Sequence, residues 1–244
     1  MATFKHLAPA TSLIAGIMLA SGLTMGAEGS SDDQANSHKT DNSNTSAHQS
    51  IASAIKGGSA KLDFRLRHEE VDVDNLSEDE ARALTLRTRL NYTTGRYQGL
   101  GATLEMDNIT EIDGDNYPTS PAQKNSGNFP SKAIIADPEG TEINQAYISY
   151  KQGETEGRYG RQRINLDNQR FIGGVGFRQN EQTYDAFSIA HRIAAADTKL
   201  YYAHVNNVNR IFGEDDPALS DTDSSTEILN INYSGLNAGD LVFY

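Results

Sequence analysis

With 244 residues, 37% of them hydrophobic, and a mean hydropathy of -0.57, the chain has room for one large domain or two small ones. Outside a partly apolar N-terminus no window approaches the ~18 consecutive apolar residues of a spanning helix, which excludes a helical membrane protein but not a barrel, whose strands are about half polar. The net charge of -12 without a basic patch argues against a nucleic-acid partner, and the lack of cysteine rules out disulfides and thiolate chemistry.

Residues 1–27 read as a signal peptide: Lys5 and His6 form a modest basic region, residues 13–23 a short apolar stretch, and Ala27 a plausible last residue before cleavage. The alternative is a buried amphipathic helix. Residues 28–58 are rich in Ser, Asp, Asn, Gln, His and Lys, and they carry too little apolar surface to offset ordering entropy; this predicts a disordered polar spacer.

From residue 59 onward the pattern changes to one-for-one alternation. Residues 62–67 read Leu-Asp-Phe-Arg-Leu-Arg, so a strand places Leu62, Phe64 and Leu66 on one face and Asp63, Arg65 and Arg67 on the other. The same split puts Leu84, Leu86, Leu90 and Tyr92 opposite Thr85, Arg87, Arg89 and Asn91. Strands are predicted at about 60–70, 82–94 and 97–108, with Thr94-Gly95-Arg96 as a hairpin turn. Further strands are predicted at 141–151, 157–164, 183–192, 198–206 and 226–233, with a last one starting at 241. Between them lie long polar stretches at 109–140, 165–182 and 213–225, and short Gly- or Ala-rich turns. Alternating short turns and long loops suit a membrane barrel better than a compact soluble domain. The fold class expected is all-β: an antiparallel transmembrane β-barrel of the outer-membrane porin type over 59–244, with about eight to nine strands present and the barrel incomplete, as the N-terminal part of a larger one.

Several blocks in order resemble the alginate-export family of outer-membrane porins. They are Ala83-Leu84-Thr85-Leu86-Arg87-Thr88-Arg89-Leu90, Asp137-Pro138 with Thr141-Glu142-Ile143-Asn144-Gln145-Ala146, and Gly160-Arg161-Gln162 with Asp167-Asn168-Gln169-Arg170-Phe171. Two more are Gly176-Phe177-Arg178-Gln179-Asn180-Glu181-Gln182-Thr183-Tyr184-Asp185-Ala186 and Asn206-Asn207-Val208-Asn209-Arg210. The resemblance covers about 61–244. It implies a monomeric wide barrel in the bacterial outer membrane, contacting lipid and lipopolysaccharide, whose arginine-lined lumen passes anionic small molecules or acidic polysaccharide such as alginate. Family members are usually longer, so later strands are expected to be missing from this chain.

Passive transport needs a wet path and weak, multi-site attraction, with no nucleophile and no cofactor. Arginine suits an anion path because its planar fork pairs carboxylates and stays charged. The lumen candidates are Arg65, Arg67, Arg87, Arg89, Arg161 and Arg163, with Asp63, Glu105 and Asp107 as counter-charges. Structural ion pairing is the competing use of the same groups. Residues 165–182 resemble an inward-folded constriction loop, with Arg170 and Arg178 projecting from a glycine-rich run; a plain outer loop is the alternative. His68, His191 and His204 lack metal-ligand spacing, no catalytic residue stands out, and an enzyme is not expected. Acidic loops holding calcium or bridging lipopolysaccharide through divalent ions remain open. Two other readings remain: a non-transporting surface barrel with a structural or adhesive role, and a secreted carbohydrate-binding β-sandwich.

Overall fold

The computed structural model describes residues 50–72, 80–114, 117–126, 132–216 and 218–244, so the expected signal peptide and residues 28–49 of the expected spacer lie outside the described residues. The described residues open with a short helix, α1 (Ile51–Lys56), inside the segment expected to be disordered. Ser50 and Ser53 form a reciprocal capping box at its start, and the Gly95 N–H bonds the Ala54 carbonyl at 2.8 Å, docking it on the sheet.

Nine strands follow: β1 (Ser59–Val71), β2 (Ala81–Thr93), β3 (Leu100–Gly114), β4 (Gly140–Gln152), β5 (Thr155–Gln162), β6 (Thr183–Ile193), β7 (Thr198–Asn209), β8 (Asp221–Leu236) and β9 (Gly239–Phe243). They form one antiparallel sheet in chain order, each strand paired with the next, and β1 and β9 are its edges, so the barrel is not closed. A sandwich would need two packed sheets; the described residues form one. A second short helix, α2 (Pro121–Asn125), interrupts the β3–β4 connection.

Most strands run longer than the alternation predicts. β3 continues to Gly114 opposite Ala83, and β8 starts at Asp221 opposite Asn209, inside the expected acidic loop. Alternation reports only where one face is apolar, whereas the hydrogen-bond ladder continues through polar ends. The first hairpin turn also moves. Tyr97 and Leu100 exchange both backbone hydrogen bonds at 2.9 Å around Gln98 (φ 49°) and Gly99 (φ 88°), so the tight turn is 98–99 and not 94–96.

The two faces are inverted relative to a soluble sheet. Leu62, Leu66, Leu90 and Leu104 are 41–48% exposed, whereas Arg87 is 5% and Asp107 1% exposed. The outer face carries the leucines together with Ile148, Tyr159, Phe187 and Leu229; the inner face carries the charges. The inner face is not uniformly polar. Ile164, Leu166, Tyr184, Ala186, Ala203, Val205 and Ile228 pack into an apolar patch over β6–β8.

Connections at one end of the sheet are short and those at the other long. One long connection, residues 163–182 between β5 and β6, crosses the inner face. Its Asp167 carboxylate accepts hydrogen bonds from Asn230 of β8 at 2.9 Å and from Tyr244 at 2.5 Å, and Phe171 meets the Tyr244 ring edge-on at 5.0 Å. Its far end reaches β1: the Arg67 guanidinium donates to the Phe177 carbonyl at 2.8 Å. The sheet therefore curls enough for one segment to touch strands near both of its edges.

Candidate functional site

The site is the inner face of β1–β3 with the segment 176–182 laid across it. Alternation places Asp63, Arg65, Arg67 and Glu69 of β1 on the same face as Thr85, Arg87 and Arg89 of β2 and Glu105 and Asp107 of β3, and the antiparallel register sets Arg65 opposite Arg87 and Arg89 opposite Asp107. Facing guanidinium groups repel, so each needs a carboxylate nearby. Arg89 grips Asp107 with both prongs at 2.6 and 2.5 Å and reaches Glu181 at 2.6 Å. Arg87 pairs with Asp63 at 2.9 Å. Arg67 bridges Glu69 at 2.7 Å and Asp137 at 3.2 Å, and Arg178 bonds Glu69 at 2.8 Å.

Arg163 joins the same cluster through Glu181 at 2.5 Å and Glu105 at 3.0 Å. Glu105 also accepts from Asn144 at 2.7 Å and Gln145 at 2.9 Å. Two neighbouring residues of one strand can reach the same carboxylate because the β3–β4 register slips between Glu105 and Met106, a bulge that turns both amides inward. Six guanidinium groups (Arg65, Arg67, Arg87, Arg89, Arg163, Arg178) thus stand among six carboxylates (Asp63, Glu69, Glu105, Asp107, Asp137, Glu181).

Gln179 pins the crossing segment and is fully buried. Its side-chain oxygen accepts from Arg65 at 2.9 Å, its amide donates to the Thr85 carbonyl at 3.0 Å and hydroxyl at 2.8 Å, and its backbone N–H donates to Asp137 at 2.8 Å. Arg65 completes the contact by donating to the carbonyls of Gly176, at 2.9 Å, and Arg178. At Glu181 burial pushes the carboxyl up, but Arg89 and then Arg163 outweigh it and hold the group below the ordinary glutamate value.

Arg161 stands in a separate group with Asp185 at 3.1 Å, the Ile143 carbonyl at 3.1 Å and Glu214 at 3.3 Å. Arg170 does not join Arg178; it is exposed at the other end of the crossing segment, stacked 5.9 Å from the centre of the Phe171 ring. Sequence reasoning missed Glu69, Asp137, Gln179 and Glu181, which close the cluster. Glu69 could have been found by extending the β1 alternation by two residues. Gln179 and Glu181 carry no signal of their own until the segment folds inward. Also missed was Arg158, which pairs with Glu156 at 3.2 Å and lies 5.2 Å over the Tyr147 ring.

No protein-family model matches the sequence, and no curated protein matches it closely enough to count as a relative. Among solved structures the fold is similar to the crystal structure of Pseudomonas aeruginosa OccK9 (OpdG), an outer-membrane porin, with a TM-score of 0.55 at 15% identity. The match covers 76% of this chain and 48% of that one, so this chain spans about half the length of the structure it resembles. The likeness is to a porin-type sheet.

Proposed function

We infer that the chain forms the wall of a passive diffusion channel in the bacterial outer membrane. The observation that carries this reading is the inverted sheet: a nine-stranded meander with leucines outside, paired charges inside, and one long connection folded inward. Lipid and lipopolysaccharide would contact the outer face, an N-terminal signal peptide would direct export, and the chain would work as a monomer without cofactor or catalysis.

The solutes proposed are anionic, with acidic sugars and alginate-like polymers as the class that the family resemblance favours. Support comes from the guanidinium groups that solvent reaches. Arg163 and Arg161 are 30% and 25% exposed, and Arg170 is exposed outright. Arg67, Arg87 and Arg89 are 6–11% exposed and each is paired with a carboxylate, which favours a holding role for them. Reversal potentials in planar bilayers under a salt gradient test the assignment. Arg161→Ser with Arg163→Ser is expected to lower anion over cation permeability. An unmoved reversal potential makes these groups structural too, and the absence of any stable conductance favours the non-transporting surface barrel.

A further inference from the structure

Residues 165–182 are held against the wall by charge and bent against the preference of their own backbone. Asp167, Gln169 and Val175 all adopt left-handed φ values, of 50, 60 and 52°. Val175 is the most strained of the three, because a branched side chain crowds the backbone there, although Gly174 and Gly176 stand on either side of it. Such a conformation persists only where the surroundings enforce it. Here the enforcing contacts are mostly charged. Glu181 is faced by Arg89 and Arg87 from β2, by Arg163 at 2.5 Å, and by Glu105 and Asp107 of β3, which share Arg89 with it. Glu69 is faced by Arg67 and Arg178, and Asp137 of the β3–β4 connection is 3.2 Å from Arg67 and 4.0 Å from Arg178.

We propose that residues 176–182 form a strap that carboxylate contacts hold against the β1–β3 wall, and that neutralising those carboxylates releases it. Once Glu69, Asp137 and Glu181 are neutral, Arg65, Arg67, Arg87, Arg89 and Arg163 face Arg178, which the strap itself carries. Repulsion and backbone strain then act in the same direction, against the anchors that this neutralisation leaves: Gln179 on Thr85, Asn180 on Glu142, and the bonds that Arg65 and Arg67 donate to the strap's carbonyls and to Gln179. Release would uncover the wall and widen the path; that consequence rests on the channel reading, whereas the movement can be measured without transport.

The chain has no cysteine, and a Cβ at position 176 would meet no atom within 4 Å, so Gly176→Cys offers a single uncrowded labelling site. A nitroxide there, in protein refolded into lipid vesicles, is expected to be immobilised at pH 7 and to become mobile on acidification below about pH 4, where carboxylates protonate. Glu181→Gln is expected to be mobile already at pH 7. Val175→Gly removes the strain and is expected to shift the acid midpoint downward. Far-UV circular dichroism on the same samples reports whether the sheet persists. A nitroxide that stays immobile from pH 7 down to about pH 2 with the sheet intact overturns the strap. If acid melts the sheet, Glu181→Gln at pH 7 decides, and an immobile label there overturns the proposal. Normal strap release in a protein without conductance counts against the channel reading and leaves the strap standing.

Discussion

At the scale of single residues the inner face depends on compensation. Asp107 is 1% exposed and takes both prongs of Arg89, so removing that guanidinium strands a buried carboxylate and leaves Glu181 with one fewer cation. Arg89→Ala is expected to cost about 3–5 kcal/mol in urea-induced unfolding from lipid vesicles, the cost of a broken buried pair. Arg170→Ala, which removes an exposed group stacked on Phe171, is expected to stay within about 0.5 kcal/mol. Equal losses for the two would contradict the distinction. Alternation alone assigned Arg65, Arg67, Arg87 and Arg89 to one face together with Glu105. It could not say that these groups are occupied, because the partners Gln179 and Glu181 lie 114 residues from Arg65 and 92 from Arg89 in sequence and meet them only through the inward fold of 163–182. Arg161 shows the opposite limit. It shares strand parity with Tyr159 on the outer face, and only the folded chain shows it tied to Asp185 and Glu214.

At the scale of elements, turns and crossing segment follow different rules. Gly99 sits at φ 88°, and a Cβ there would come within 2.6 Å of the Lys151 carbonyl. Gly99→Ala is therefore expected to destabilise the hairpin by about 1–3 kcal/mol, whereas Gln98→Asn, a residue better suited to left-handed φ, is expected to stabilise it. Thermal melts of the two variants should move in opposite directions. The strand cores were legible because outer-face leucines repeat every second residue. The extensions of β3 and β8 were not: over 221–225 both faces of β8 are polar, and in β3 Ile109 and Ile112 fall on opposite faces among polar residues, so period two vanishes. The crossing segment carries the pH dependence. Glu181 is held below the ordinary glutamate value, so its stabilising contribution is complete above the unfolded pKa, about 4.3, and is lost as the pH falls through the lower folded value. Chemical denaturation of the parent protein should show a loss of stability below about pH 4 that Glu181→Gln lacks.

At the scale of the whole molecule, one sheet with its leucines outward and its charges inward explains a mean hydropathy of -0.57 in a chain read as a membrane protein. Curling was not legible. It follows from contacts at β1 and β8 made by the same segment, and from a patch of small apolar residues, Ala186, Ala203 and Val205, that lets the segment lie close to the sheet. Leu104→Arg, on the outer face, is expected to cost about 2–4 kcal/mol of folding free energy in lipid bilayers and far less in a soluble setting. The most direct measurement is site-resolved quenching in lipid vesicles, with single cysteines placed at Leu104, Ile148 and Leu229 on one face and at Thr103, Ser149 and Asn230 on the other. Fluorophores at the first three sites are expected to be quenched by doxyl-labelled lipid and those at the second three are not. Equal quenching of both sets, or leucine sites shielded from lipid, would contradict the inverted sheet.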